Sequence, residues 1–367
     1  MDIPIFNTYI DKDAKKYVNS VLDSTFLSEG KLVKDFENQL CKKIGFNNVL
    51  TVNSGTSALH MALVMSGVSE GDEVILPAQT FVATGLVILQ QKAVPVFADI
   101  DYNTGNISIE SIKEKITPKT KAIILVHWGG MPCDLDEINE FAFINNIIVI
   151  EDAAHALGAT YKNRKIGNIS DYTCFSFQAI KHLTTGDGGA ICCKSLDNQK
   201  EGLISRWFGI DRVNSVNSIL GERVYNINKL GFKYHLNDYS AALGLANLKS
   251  YDERLQNLRS IAKYYNENLK NVSGISLFEN KIDRESAYWL YGFHVENRDS
   301  FINLLKNNGI TSSVIHLGID HNSIFGGKDF NLTNQRKFDE SQIHIPIHNA
   351  IDLSKAQYIV EIIKKGW

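Results

Sequence analysis

The chain has 367 residues, 44% of them hydrophobic and 22% charged, an ordinary globular balance with room for two associated domains of roughly 150 residues. Its 38 Lys and Arg against 41 Asp and Glu leave a net charge of −3, which argues against a nucleic-acid or polybasic membrane surface, since phosphates demand clustered positive charge. No apolar run reaches the roughly 18 residues of a membrane span, and the first residues lack a basic-then-apolar signal pattern, so a soluble cytoplasmic protein is expected.

Short runs rich in Val and Ile recur along the first half, at 48–53, 73–76, 94–98, 122–126, 146–150, 173–177 and 190–193. They are too short for buried helices and suit strands covered on both faces. Helical patterns lie between them at 56–66, 109–115 (closed by Thr117-Pro118) and 135–145. This alternation predicts an α/β domain with a largely parallel sheet, whose ligands gather at the carboxyl ends of the strands. Residues 208–228 are polar and irregular, and read as a surface loop or an arm near an active site. From about residue 245 the texture changes. Leu245, Leu248, Leu255, Leu258, Ile261 and Leu269 keep a near-helical period, predicting one long helix over 241–269 that leads into a smaller α+β domain. A last helix is expected over 353–365, and the two domains are drawn at 1–245 and 246–367.

Cys41, Cys133, Cys174, Cys192 and Cys193 are odd in number and lack C-x-x-C pairing, so reduced packing cysteines are expected rather than disulfides or a zinc cage. Cys192 and Cys193, consecutive in a strand, should face opposite sides of the sheet.

Three strand ends carry chemistry. After the first run, Asn53-Ser54-Gly55-Thr56-Ser57 turns into a helix, and such a helix start can be a phosphate cradle or an ordinary cap. After the fifth, Glu151-Asp152-Ala153-Ala154-His155 offers a carboxylate that could bind a metal, cap a helix or stabilise a cation on a ligand. The metal reading lacks further oxygen ligands or a second histidine at helical spacing, and a lone His155 is more often a structural or half-buried histidine. After the sixth, Lys181 follows Phe175-Ser176-Phe177-Gln178 and precedes the turn Gly186-Asp187-Gly188-Gly189, a place where a lysine amine can be activated for Schiff-base chemistry. Together, a hydroxyl-rich cradle, an acid and a lysine 29 residues later are what pyridoxal 5'-phosphate requires: an anchor for phosphate, a carboxylate for the pyridine nitrogen and an amine for the aldehyde. The pair His344 and His348 is interrupted by Pro346, which removes helical metal spacing, so no metal is expected.

These segments resemble the DegT/DnrJ/EryC1/StrS sugar aminotransferases, within the fold-type-I pyridoxal-phosphate enzymes, over nearly the whole chain. The likeness is carried by Phe26-Leu27-Ser28-Glu29-Gly30 with Phe36-Glu37, by Asn53–Leu59, Pro95–Ile100 and Val126–Gly130, and above all by Glu151–His155 and Phe175–Gly189. It implies a large, mostly parallel seven-stranded sheet domain with a smaller C-terminal α+β domain. It makes Lys181 the Schiff-base lysine and proton shuttle, pairs Asp152 with the pyridine nitrogen and brings His155 to the ring hydroxyl or ring face. Thr56, with Gly55 and Ser57 beside it, and Ser176 would hold the phosphate, and Phe81 would stack on the ring. In Gly231–Asp238, Lys233 and His235 stand where many relatives carry asparagine, and either could reach the phosphate of a neighbouring subunit in a homodimer with shared sites. Residues 315–321 lack the Tyr and Pro of the family's His-Tyr-x-Pro-Leu-His.

The implied activity is transfer of an amino group from L-glutamate, giving 2-oxoglutarate, to a keto sugar, foremost a nucleotide-linked keto-deoxysugar for polysaccharide or glycoconjugate biosynthesis. The altered 315–321 segment motivates a rival acceptor, a small phosphorylated ketone such as dihydroxyacetone phosphate. Sugar dehydration accompanies loss of the lysine in this family, and Lys181 is present. A catalytically silent regulator on the same fold is a rival of another class, against which intact Lys181, Asp152 and Ser176 argue.

Overall fold

The computed structural model describes residues 2–212 and 214–367. All seven Val/Ile runs become strands of one sheet: β1 (Val49–Val52), β2 (Glu73–Pro77), β3 (Val94–Ala98), β4 (Thr120–Val126), β5 (Ile148–Asp152), β6 (Tyr172–Ser176) and β7 (Gly189–Cys193). Their order is β1-β7-β6-β5-β4-β2-β3, and β7 alone runs against the others. Alternate residues enter opposite cores: Val49, Ile75, Ile123 and Val149 join one, Leu50, Val74, Ile124 and Ile150 the other. Cys192 and Cys193 divide between those two faces as expected, and all five cysteines are free. The helices Gly55–Met65 and Ala83–Gln90 cover one face of the sheet, while Ile109–Lys115 and Leu135–Ile144 cover the other.

Register decides where the chemistry collects. Val126 lies opposite Asp152, Asp152 opposite Cys174, Ser176 opposite Gly189, and Gly189 opposite Val52. The ends of β1, β4, β5 and β6 therefore share one edge, and Ser54, Asp152 and Ser176 gather around one cavity there. Gly55 starts its helix against β6. A Cβ on Gly55 would fall 2.9 Å from the Ser176 Cβ, so a side chain there would push the helix start off the strand end.

The expected long helix is two, Asp238–Leu248 and Tyr251–Leu269. Apolar spacing runs through the break and hides it. The carbonyls released there are met by cations: Lys43 Nζ donates to Leu248 O (2.7 Å) and Lys249 O (2.6 Å), and Arg254 Nη2 to Asn247 O (2.7 Å). Leu255 still packs with the sheet, whereas Leu258 joins a second core, so the change of core falls inside the second helix. That core is built on the antiparallel strands β8 (Ile275–Leu277), β9 (Tyr291–Val295) and β10 (Gln342–Ile345), and the last helix spans Leu353–Ile363. Ile3, bridged to Ile310, also belongs to it, so the chain's first residues cross to the C-terminal unit. The 208–228 segment carries an exposed two-stranded hairpin, Val216–Asn217 with Arg223–Val224. Among the described residues no helix is long and apolar enough to cross a membrane.

Candidate active site

A cavity of about 510 Å³ opens at the shared strand edge, with Gly55, Thr56, Phe81, Asp152, His155, Ser176 and Lys181 in its wall. Seven of the ten expected site residues are thus brought together. Ser57 is not in the wall. Its N–H donates to Ser54 Oγ (3.0 Å) and its hydroxyl to Asn53 Oδ1 (2.7 Å), so it completes the helix cap. Lys233 and His235 also lie outside their own chain's cavity wall. They ride on a strand-like stretch along β1, where Val52 bridges His235 and Asn53 N donates to Tyr234 O at 2.7 Å. His235 sits edge-on to Trp207, with Nε2 3.3 Å from Ser28 Oγ.

Glu151 and Asp152, adjacent in β5, point to opposite faces. Glu151 is fully buried, accepting from Ser170 N (3.0 Å) and pairing with His127 Nε2 at 2.8 Å. His127 Nδ1 accepts from Cys133 N, so Nε2 carries the proton. That pair is structural. Asp152 faces the cavity, where Oδ2 accepts from the Thr84 hydroxyl (2.8 Å) and Oδ1 from Ala154 N (3.2 Å). Thr84 is braced by Thr80 at 2.7 Å. Burial pushes the Asp152 carboxyl above its ordinary range, against those hydrogen bonds and the nearby Lys181 charge. No salt-bridge partner holds it among the described residues.

Lys181 Nζ makes no hydrogen bond or salt bridge among the described residues and rests 3.5 Å from the centroid of the Trp289 ring. Burial brings its amine down to about 7, although Asp152 works the other way. Trp289 donates Nε1–H to Ile180 O (3.0 Å) and stacks on His155 at 3.8 Å and 17°. His155 is buried with Nδ1 unpartnered, and burial, then the Lys181 charge, hold it well below the usual histidine range. His182, next to Lys181, turns away to Ala287 O (2.8 Å), and burial takes it down to about 4. Phe81 is 52% exposed in the cavity wall, its ring 5.3 Å from that of His316.

A buried carboxylate without a cation, an amine without an acceptor and an orphaned imidazole nitrogen surround a space large enough for a small ring. These residues fit pyridoxal phosphate. Among the described residues no cluster of three metal-ligating side chains exists. Sequence reasoning missed Trp289, Thr84, Thr80 and Phe6. Thr80 and Thr84 flank Phe81 with hydroxyls four residues apart at a helix start, a local signal in the sequence. Trp289 and Phe6 arrive from the C-terminal unit and the N-terminus, and nothing local marks them.

A sequence profile of the DegT/DnrJ/EryC1/StrS aminotransferase family matches residues 8–364. This chain belongs to that family. It is accordingly a pyridoxal-phosphate-dependent aminotransferase. It is 31% identical to the GDP-perosamine synthase of Escherichia coli O157:H7, over 99% of this chain and 98% of the relative. It is 32% identical to the UDP-4-amino-4,6-dideoxy-N-acetyl-beta-L-altrosamine transaminase of Campylobacter jejuni, over 98% and 97%. The sugar aminotransferase Spr1654 of Streptococcus pneumoniae, described as putative and solved in PLP-form and PMP-form, is 30% identical in both; the PLP-form superposes with a TM-score of 0.91 over 100% of this chain and 98% of its own.

The opening motif of the family has a structural meaning in this chain. Arg206, almost fully buried, joins Glu29 through Nη2 and Glu37 through Nη1, both at 2.7 Å, and donates to Thr51 O at 2.7 Å. Burial opposes its charge, but the two carboxylates outweigh this and raise it above the ordinary arginine value. Asp238 accepts from Gly30 N (2.9 Å) and Val33 N (3.1 Å), capping the helix Lys31–Gln39 from a distance. These contacts tie the N-terminal segment to β1, beside the turn at Gly55.

Proposed function

We propose that this protein moves an amino group from L-glutamate to a nucleotide-linked keto-deoxysugar in the biosynthesis of a surface polysaccharide or glycoconjugate. The observation that carries the chemistry is the meeting of Lys181 and Asp152, neither of them ion-paired, in one cavity beside the Gly55 helix start. The sugar reading is supported by near full-length similarity to relatives named for nucleotide-linked amino sugars.

Bound pyridoxal phosphate supplies the electron sink that lets an amino acid lose its Cα proton. Asp152, its carboxylate aligned by Thr84 and Ala154, would hold the ring nitrogen protonated. The Gly55 and Thr56 backbone and the Thr56 and Ser176 hydroxyls would hold the phosphate, where the helix N-terminus favours an anion. Phe81 would cover one ring face, and His155 would approach the ring or its hydroxyl. Lys181 would hold the aldehyde and would move the proton at Cα; an amine near 7 is suited to both taking and giving it. One cavity serves donor and acceptor in turn, which predicts ping-pong kinetics.

The protein works as a homodimer with shared sites in this reading. Two features support it. Lys233 and His235 lie outside their own cavity wall but next to the phosphate turn, and the arm between them and the Arg206 region exposes Val216, Ile219, Leu220 and Leu230.

An acceptor screen tests the reading. Protein loaded with pyridoxamine phosphate is offered nucleotide-linked keto sugars and small keto phosphates, with amino products read by mass spectrometry. Amination of a nucleotide-linked sugar is expected. Amination of a keto phosphate alone would replace the sugar by the smaller acceptor.

A further inference from the structure

Ile315 has φ of +64°, in the left-handed region that a β-branched side chain rarely enters. The turn is closed by His316 N donating to Val314 O at 2.9 Å, a three-residue turn of the strained kind, and Ile315 N donates to Ser313 Oγ at 3.1 Å. Three fully buried glutamines hold the next peptide. Gln79 Nε2 (3.1 Å) and Gln342 Nε2 (3.0 Å) both donate to His316 O, and Gln79 Oε1 accepts from Gln335 Nε2 (2.8 Å) and Gln342 Nε2 (3.2 Å). They come from the turn after β2, the helix Thr333–Ser341 and the start of β10, so both units grip one carbonyl. Backbone strain that persists because its surroundings over-determine it is a mark of functional sites.

The grip fixes one side chain in the cavity wall. The His316 ring stands between Phe81 (5.3 Å between centroids, 45°) and Trp128 (6.0 Å, 60°), and its nitrogens have no hydrogen-bond partner among the described residues. Burial, then Lys181, bring this imidazole down to about 4, so it is uncharged at neutral pH. A neutral imidazole has one donor and one acceptor nitrogen, as a hydroxyl has a donor and acceptors. The carboxylates of glutamate would instead call for a cation.

We propose that His316 is a specificity-determining residue for the acceptor, hydrogen-bonding a hydroxyl of the sugar ketone and so favouring polyhydroxylated acceptors over simple ketones. This rests on the sugar aminotransferase reading of the site. The plainer alternative, a histidine that merely packs between two aromatic rings, predicts a different outcome for the same variants.

The test uses His316→Phe, which keeps the ring contacts, and His316→Ala as a second variant, both checked by thermal melting. The probes are a UDP-linked 4-keto-6-deoxy-N-acetylhexosamine, a GDP-linked 4-keto-6-deoxyhexose and the corresponding 4-amino products. Stopped-flow absorbance separates the glutamate half-reaction from the sugar half-reaction. Relative to the donor side, kcat/KM for the sugar should fall about 10- to 100-fold further, the range expected when one buried hydrogen bond is lost. Calorimetric affinity for the amino-sugar product should weaken by a similar factor. Sugar analogues with single hydroxyls replaced by hydrogen should include one that costs the wild type this factor and the Phe variant nothing further. Equal losses in both half-reactions, or unchanged sugar affinity, would overturn the role of His316 alone. Wild-type protein that aminates neither keto sugar would overturn the parent reading, and this inference with it.

Discussion

Asp152→Asn separates fold from chemistry in this site. The amide keeps the size of the carboxylate and one carbonyl oxygen for Thr84 Oγ1 or Ala154 N. The Thr84 hydroxyl can turn to accept from the new amide, because it already has Thr80 at 2.7 Å as a second partner. Stability of the cofactor-free protein should therefore change by no more than about 1 kcal/mol from hydrogen bonding. The electrostatic effect has a definite sign. Burial raises the carboxyl of Asp152 in the folded state, so the folded protein holds that proton longer than the unfolded chain. The wild type then loses stability as pH rises from about 4 through the folded value, and the asparagine variant does not. Its melting temperature should gain on the wild type across that interval. Activity should move the other way. A neutral amide cannot keep a pyridine nitrogen protonated, and removing one such charge from a water-poor site costs roughly 10²-fold or more. Single-turnover absorbance with saturating cofactor measures this in each half-reaction. A loss below tenfold, with intact folding, would make Asp152 a structural cap and refute the reasoning.

Three further outcomes follow from other parts of the structure. Covalent capture of pyridoxal phosphate by cofactor-free protein should accelerate up to about pH 7 and then level, because the Lys181 amine titrates near 7; a rate still climbing above pH 9 would mean an ordinary lysine. Arg206→Met takes from Glu37 its cation and leaves Glu29 only the partly exposed Arg212 at 2.8 Å, and denaturant unfolding should show a loss of about 3 kcal/mol. A loss under 1 kcal/mol would show the carboxylates to be solvated. Mixing Lys181→Ala chains with Lys233→Ala/His235→Ala chains, each inactive alone, should restore roughly a quarter of wild-type activity, since about half the dimers are mixed and each holds one intact site. No recovery after verified subunit exchange would place these groups in one chain.

Much of this was legible in the sequence because the sheet is buried on both faces. Such strands are continuous Val/Ile runs, and each ended where the structure ends it, to within a few residues. Asp152, Ser176 and Lys181 were visible for the same reason: Asp152 and Ser176 end their strands, Lys181 comes soon after one, and parallel register brings strand ends to one edge. What escaped was set by contacts distant in sequence. The helix break at Lys249-Ser250 keeps the apolar period and is stabilised by Lys43 and Arg254. Trp289 reaches Lys181 from the C-terminal unit, and Gln79, Gln335 and Gln342 meet only in the folded chain. Glu29 and Glu37 were noticed as a family motif, but their common partner Arg206 lies 169 positions beyond Glu37.

The central claim is that one cavity passes an amino group, held on the bound cofactor, between two substrates while Lys181 moves the proton at Cα. Single-turnover spectroscopy on the cofactor-loaded protein tests it most directly, adding L-glutamate first and a nucleotide-linked keto sugar second. The visible absorbance of the wild type should bleach with glutamate, release one equivalent of 2-oxoglutarate per site, and return when the sugar is added. Lys181→Ala, loaded with pyridoxamine phosphate, should retain the cofactor without multiple turnover. Sustained transamination by Lys181→Ala, or no bleaching of the wild type by glutamate, would contradict the account.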